Sequence, residues 1–88
     1  MRPLTIELLR LLQMAAPKRD FKAISGASST DDDRVQLTER HWLFVDTHDD
    51  TPMVTLTDET PETGGQIAFW VGNKPEVLSR VVRAALEV

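Results

Sequence analysis

Two short runs of this sequence hold the side chains best suited to binding a metal ion or exchanging protons. They are Asp31–Asp33 and Asp46–Asp50, and the second run contains His48. A calcium loop needs oxygen ligands at alternating positions, a glycine at its tight turn and a closing glutamate, and neither run has this order. Aspartate is also favoured in turns, because its side chain hydrogen-bonds nearby backbone groups. We therefore interpret both runs as solvated turn carboxylates and predict no metal or cofactor.

The other candidates for catalysis lack the surroundings that catalysis requires. No serine lies in a G-x-S-x-G turn, the chain has no cysteine, and no glycine motif for phosphate or dinucleotide binding occurs. His41 opens a predicted strand, which is typical of a half-buried or surface histidine. An enzyme or metal protein centred on Asp46, His48, Asp49 and Asp50 is a third hypothesis only, because no base, nucleophile and stabilising group converge. We predict a protein that is not an enzyme.

The charge of the chain is concentrated in its middle third. Residues 31–62 hold ten acidic side chains and two arginines, whereas the whole chain has a net charge of −4. Charge asymmetry governs association and steering rather than fold, so this segment predicts a surface for a basic partner. The residues expected to form it, in acidic loops, are Asp46, Asp49, Asp50, Asp58, Glu59 and Glu62.

Length and composition limit the class of protein. A chain of 88 residues without cysteine is expected to be a single domain, residues 1–88, and fits a reducing compartment. Its acidic balance disfavours direct binding to nucleic acid, which needs clustered Lys and Arg. Glu7 and Arg10 interrupt the apolar N-terminus, and no apolar run approaches the ~20 residues of a membrane span. We expect a cytoplasmic protein that does not bind membranes.

Apolar periodicity predicts a helix at each end of the chain. Over residues 3–16, Pro3 suits a first turn and leucines recur at helical spacing before Pro17 stops the helix. Over residues 74–87, the spacing of Asn73 and Glu76 is that of a capping box, and an apolar stripe follows.

Between the helices, β-branched and aromatic residues predict strands at about 35–39, 42–47, 53–57 and 66–71, with a further short edge strand conceivable at 21–25. Residues 25–34 have loop composition and are expected to be mobile. The break at 48–52 predicts a hairpin loop longer than two residues. The fold class is therefore α+β, a two-layer sandwich in which both helices cover one face of a three- or four-stranded antiparallel meander.

An aromatic patch is expected on the other face of this sheet. If Leu43 and Val45 turn toward the helices, strand alternation turns Trp42, Phe44 and Trp70 the other way. Loop 18–34 covering the patch, pairing of Trp42 with Trp70 across strands, and a partner or dimer interface are all open alternatives.

Two functional hypotheses follow. The first is a small protein-binding module, in the general style of inhibitor or accessory proteins of phages and mobile elements, that docks its acidic loops on a basic surface of the kind that holds nucleic acid. The alternative is a structural or assembly subunit, such as a homodimer, that uses the aromatic face.

Overall fold

The computed structural model describes residues 1–28, 31–48, 50–59, 64–71 and 75–88. In these ranges the chain forms a helix, five strands and a second helix. The elements are α1 (Pro3–Ala15), β1 (Lys22–Ile24), β2 (Asp33–Gln36), β3 (His41–His48), β4 (Thr51–Asp58), β5 (Gln66–Trp70) and α2 (Pro75–Leu86). Both helices agree with their predicted bounds to within one or two residues, while the Asn73 cap lies outside the described residues.

The strands form one antiparallel sheet in the order β1-β2-β3-β4-β5. The predicted α+β class and the helix–meander–helix order are therefore confirmed, with five strands rather than three or four. β2 begins and ends earlier than predicted, because the N–H groups of Leu37 and Thr38 both donate to the His41 carbonyl, at 2.9 and 3.3 Å. These bonds turn the chain into β3 before a strand could extend to residue 39.

The hairpin between β3 and β4 is tighter than predicted. His48 is paired with Thr51, which leaves two residues in the turn, so the prediction of a longer loop was wrong. Asp50 has φ 62°, the left-handed conformation that two-residue hairpin turns favour. Pro52 belongs to β4, opposite Thr47. The pair next to the one that closes such a turn is not hydrogen-bonded, so Pro52 needs no N–H toward β3.

The core lies between the helices and one face of the sheet. Alternate residues of the three inner strands are buried, and they form a single cluster with buried residues of both helices. The buried cluster comprises Leu8, Leu12, Phe21, Val35, Leu37, Leu43, Val45, Val54, Leu56, Val71, Val81 and Ala85. At roughly 25 cal/mol per Å² of apolar surface removed from water, this burial is the main favourable contribution to folding.

The segment predicted as a mobile loop, residues 25–34, contains the best-anchored polar side chain of the described chain. Asp33 opens β2 and is 2 % exposed, so its assignment to a mobile loop was wrong. Its Oδ2 accepts hydrogen bonds from the Arg2 N–H and the Thr5 hydroxyl, both at 2.7 Å. Its Oδ1 accepts a bond from the Gly26 N–H at 2.9 Å. One carboxylate thus joins α1, the β1–β2 connection and β2.

Asp33 supplies the acidic group that the first turn of α1 lacks. The first turn of α1 contains no acidic residue, and its N-cap residue, Arg2, makes no side-chain capping bond. A carboxylate at a helix N-terminus satisfies free N–H groups and interacts favourably with the helix dipole. Gly26 completes the arrangement, because a Cβ at this position would lie 2.6 Å from the Asp31 carbonyl oxygen.

These bonds control the ionisation of Asp33. Burial by itself raises the pKa of this carboxyl, but hydrogen bonds from Gly26, Arg2 and Thr5, together with the Arg2 charge, lower the pKa from 3.8 to about 2. A lowered folded-state pKa contributes stability above the unfolded-state pKa, and this contribution is lost as the pH falls through the folded-state value.

We expect Asp33→Asn to reduce the free energy of unfolding at pH 7 by on the order of 2 kcal/mol, the linkage value for a shift of this size. The difference from the wild type should shrink between about pH 4 and pH 2, where the wild-type carboxyl becomes protonated. Urea denaturation of the variant and the wild type across this pH range tests the predicted difference in stability. Asp31→Asn, which changes an exposed neighbour, is the control. Equal losses at pH 7 and pH 2 would contradict the linkage.

Candidate functional site: the open face of the sheet

The face of the sheet opposite the core carries the aromatic residues singled out from the sequence. Trp42 and Phe44 alternate with the buried Leu43 and Val45 along β3. Through the register of β3 with β4 and β4 with β5, Trp70 lies on the same face. We call this surface the open face. The described residues of segment 18–34 contribute β1 and the start of β2 to the sheet and bury Phe21 in the core, so this part of the segment extends the sheet rather than covering the open face.

The two tryptophans do not form a cross-strand pair. Trp42 is opposite Thr57, whereas Trp70 is opposite Met53 and lies on the edge strand β5. Trp70 is 51 % exposed, and Trp42 is half-buried. The indole Nε1 of Trp42 is buried and finds no acceptor within the described ranges. The pairing considered from the sequence is therefore wrong.

One cross-strand row of the open face combines carboxylates with apolar side chains. Asp46 is opposite Met53, and Met53 is opposite Trp70. Asp32, just before β2, is close enough to the Asp46 carboxylate for that group to raise the pKa of Asp32. We call Asp32, Asp46, Met53 and Trp70 the Asp–Trp row. It lies at the end of the sheet that holds the β1–β2 connection and the β3–β4 turn.

A groove of about 750 Å³ extends over the open face from Asp32, in this row, to Glu59 at the opposite end of the sheet. Its lining includes Phe44 and Thr55 from the middle of the sheet, with Asp32 and Glu59 toward the two ends. The Arg34 guanidinium lies 5.4 Å from the centre of the Phe44 ring, at cation–π distance. The open face therefore presents stacked and exposed rings next to carboxylates.

Two of the six predicted acidic-loop residues lie in strands and have charged or ionisable neighbours. Asp46 is in β3, with Oδ1 3.6 Å from Arg2 Nη2. Asp58 ends β4, with Oδ2 3.7 Å from Nε2 of His41. Both were predicted from the sequence to belong to acidic loops; the structure instead places Asp46 inside β3, as the predicted strand 42–47 implied, and Asp58 in β4, one residue beyond the predicted strand 53–57. Asp49 and Glu62 lie outside the described residues.

The remaining predicted acids do not share one surface. Asp50 and Glu59 are exposed, but they lie beyond the two ends of β4, an eight-residue strand that is roughly 27 Å long at the usual rise per strand residue. The acidic surface is therefore divided. The larger group surrounds the Asp–Trp row, and sequence reasoning missed its members Asp31 and Asp32, which it interpreted as turn residues without a partner-binding role. Alternation counted back from Val35 could have placed Asp32 on Trp42's side of the sheet.

The environment of Asp32 disfavours its ionised form. Burial raises the pKa of Asp32, and so do the charge and hydrogen bond of Asp46; Arg2 and Arg34 offset this only in part. A basic group arriving from outside would relieve that repulsion, because an opposite charge nearby favours the ionised carboxylate.

Other kinds of site find little support among the residues described. In those ranges no three His, Cys, Asp or Glu side chains come together in a way that could hold a metal ion. His41 Nδ1 lies 2.7 Å from the Thr38 hydroxyl, but this hydroxyl also accepts the His41 N–H at 3.1 Å, as in a local turn. No described helix is long and apolar enough to cross a membrane.

Comparisons with known proteins return no relatives: no family model, curated protein or solved structure matches the chain.

We expect Asp32→Asn to raise the melting temperature at pH 7. A raised pKa means that folding disfavours the ionised carboxylate, so stability falls as the pH rises above the ordinary value of 3.8. Asparagine carries no charge and can still hydrogen-bond Asp46. The variant and the wild type should melt alike near pH 3 and diverge by pH 7 in thermal denaturation followed by circular dichroism. A variant less stable than the wild type at pH 7 would show that Asp32 is stabilising as an anion.

Proposed function

We propose that this protein is a non-enzymatic protein-binding module whose open face docks a partner with a basic, partly apolar surface. The observation that supports this most directly is the Asp–Trp row, in which a half-exposed tryptophan and two carboxylates lie along one line across the sheet. Tryptophan is enriched among residues that dominate binding energy, and acidic neighbours attract basic groups.

The distribution of charge supports a basic partner for this end of the sheet. Five acidic side chains lie there within the described ranges, against two arginines; the acids are Asp31, Asp32, Asp33, Asp46 and Asp50. Both arginines are engaged, since Arg2 contacts Asp33 and Asp46 and Arg34 stacks on Phe44. Such a surface steers a positively charged partner during association, and its effect weakens as salt screens the charges. A basic surface that normally binds nucleic acid is one target with this chemistry.

Capture from lysate of the source organism tests the role of Trp70. We expect Trp70→Ser to lose the proteins that the wild type retains, because the indole is the largest exposed apolar group of the open face. Ile67→Ser is the matched control: Ile67 is 56 % exposed on the same strand but points to the other face. Both variants should remain folded by circular dichroism. Retention unchanged by Trp70→Ser would place the partner site elsewhere.

The acidic contribution can be tested by removing equal charge from the two ends of the sheet. Asp31→Asn with Asp50→Asn removes two exposed carboxylates near the Asp–Trp row; Glu39→Gln with Glu59→Gln removes two exposed carboxylates at the opposite end. With a captured partner, we expect the first pair to slow association severalfold and to flatten its salt dependence, as expected for steering charges. The second pair should have a smaller effect. Equal effects of the two pairs would mean that only net charge matters.

A further inference from the structure

The two edges of the sheet differ in how they are protected against pairing. β1 has three residues, one of them Lys22, and short charged strands are a usual protection of an edge. β5 has five residues, Gln66–Trp70, with neither a charged residue nor a proline. Within the described part of the chain, no strand lies on its outer side. An uncharged apolar edge of this kind is a template for another strand.

The hydrogen bonds at the ends of β5 identify which backbone groups point outward. The Val71 N–H donates to a β4 carbonyl, and the Gly65 carbonyl accepts from a β4 N–H, both at 2.9 Å. Because bonding direction alternates along an antiparallel strand, odd-numbered residues of β5 bond to β4 and even-numbered residues face the outer edge. Ala68, at the centre of the strand, therefore directs its N–H and C=O away from the sheet.

The side chains of β5 are unusually exposed on both faces of the sheet. Ile67 is 56 % exposed on the core side, and Trp70 is 51 % exposed on the open face. A strand added alongside would contact both at once, whereas a partner on either face would contact only one of them.

We propose that β5 pairs with β5 of a second copy of this chain, antiparallel about a two-fold axis at Ala68, to form one continuous sheet. In this register Ala68 is opposite Ala68 of the other copy and exchanges both backbone hydrogen bonds with it. Ile67 is opposite Phe69, and Gln66 is opposite Trp70. Each exposed apolar side chain thus gains a neighbour, and the interface uses the same patch twice, as two-fold dimers do.

The distribution of charge favours a second copy over a basic partner at this edge. β5 has no carboxylate to attract a basic strand, and two chains of net charge −4 repel except where they meet through uncharged segments. Antiparallel pairing also places the acidic end of one copy beside the opposite end of the other. The two groups of carboxylates around the Asp–Trp rows are then kept apart, which lowers the repulsion between the copies.

Two variants with opposite charges at residue 68 test the proposed β5–β5 pairing and its register. Sedimentation from micromolar to millimolar concentration should show a wild-type dimer. Ala68→Lys and Ala68→Glu should each raise the dimer dissociation constant about tenfold or more, because like charges then face each other across the axis. Mixing the two variants should restore the dimer as a heterodimer. Thr55→Lys, which adds a charge to the open face beside Ala68 but one strand inward, should leave the dimer intact.

A second test of the dimer uses a variant that introduces no charge at residue 68. The chain has no cysteine, so Ala68→Cys provides a single thiol, and directly opposed residues of a hydrogen-bonded pair lie about 5.5 Å apart at Cα, within disulfide range. Mild oxidation should give a covalent dimer, whereas Thr55→Cys should not. A monomeric wild type at all concentrations, or a mixture of Ala68→Lys and Ala68→Glu that stays monomeric, would overturn the proposal. Loss of the dimer in Thr55→Lys alone would indicate pairing through the open face instead. Because these measurements use no partner, they are independent of the capture experiments.

Discussion

The buried carboxylate of Asp33 is the constraint on which the arrangement of this small protein depends. It lies at the start of the second strand and accepts hydrogen bonds from Arg2 and Thr5 at the first helix and from Gly26 in the β1–β2 connection. An ionised group away from water is costly unless its oxygens are satisfied, so the three donors must hold their positions together. The helix is thereby fixed to the same end of the sheet at which Asp31, Asp32 and Asp46 are gathered.

The position of α1 also affects the charge of the open face, because it places Arg2 among the carboxylates. Arg2, which precedes α1, lies with its guanidinium between Asp33 and Asp46 and partly compensates their charge. Burial and the charge of Asp46 nevertheless raise the pKa of Asp32. An acidic site with unrelieved repulsion is well suited to an incoming cation, because the partner's charge lowers the energy of a group that the fold itself does not fully satisfy. The structural anchor and the proposed binding site thus use adjacent members of one run, Asp31–Asp33.

The meander divides the remaining surfaces by their chemistry. One face of the sheet is covered by the core cluster, the other presents rings beside carboxylates, and the β5 edge has no charge at all. A simple up-and-down sheet always leaves two edges, and a protein that stays monomeric usually protects both. Here β1 is short and carries Lys22, whereas the described strand β5 has neither a charged residue nor a proline. The proposed partner surface and the proposed self-association surface meet at Trp70, so binding on the open face and pairing at the edge are expected to influence each other.

Much of the fold could be predicted from the sequence, because its signals are local. Leucine spacing and Pro3 indicate α1, the valine stripe indicates α2, and alternation indicates the central strands and the two faces to which Trp42 and Leu43 belong. Local signals failed where long-range contacts decide. From its neighbours, Asp33 is predicted to be a loop residue, because the hydrogen bond that it accepts from Thr5 comes from 28 positions away in the chain. Asp46 and Asp58 were predicted to belong to acidic loops, and only the structure shows that they lie beside Arg2 and His41, respectively. The sequence alone thus determined the elements and the concentration of negative charge, since both depend on neighbouring residues. Only the tertiary structure decided which carboxylates are paired and which lie on the open face, because strand register brings together residues far apart in the chain.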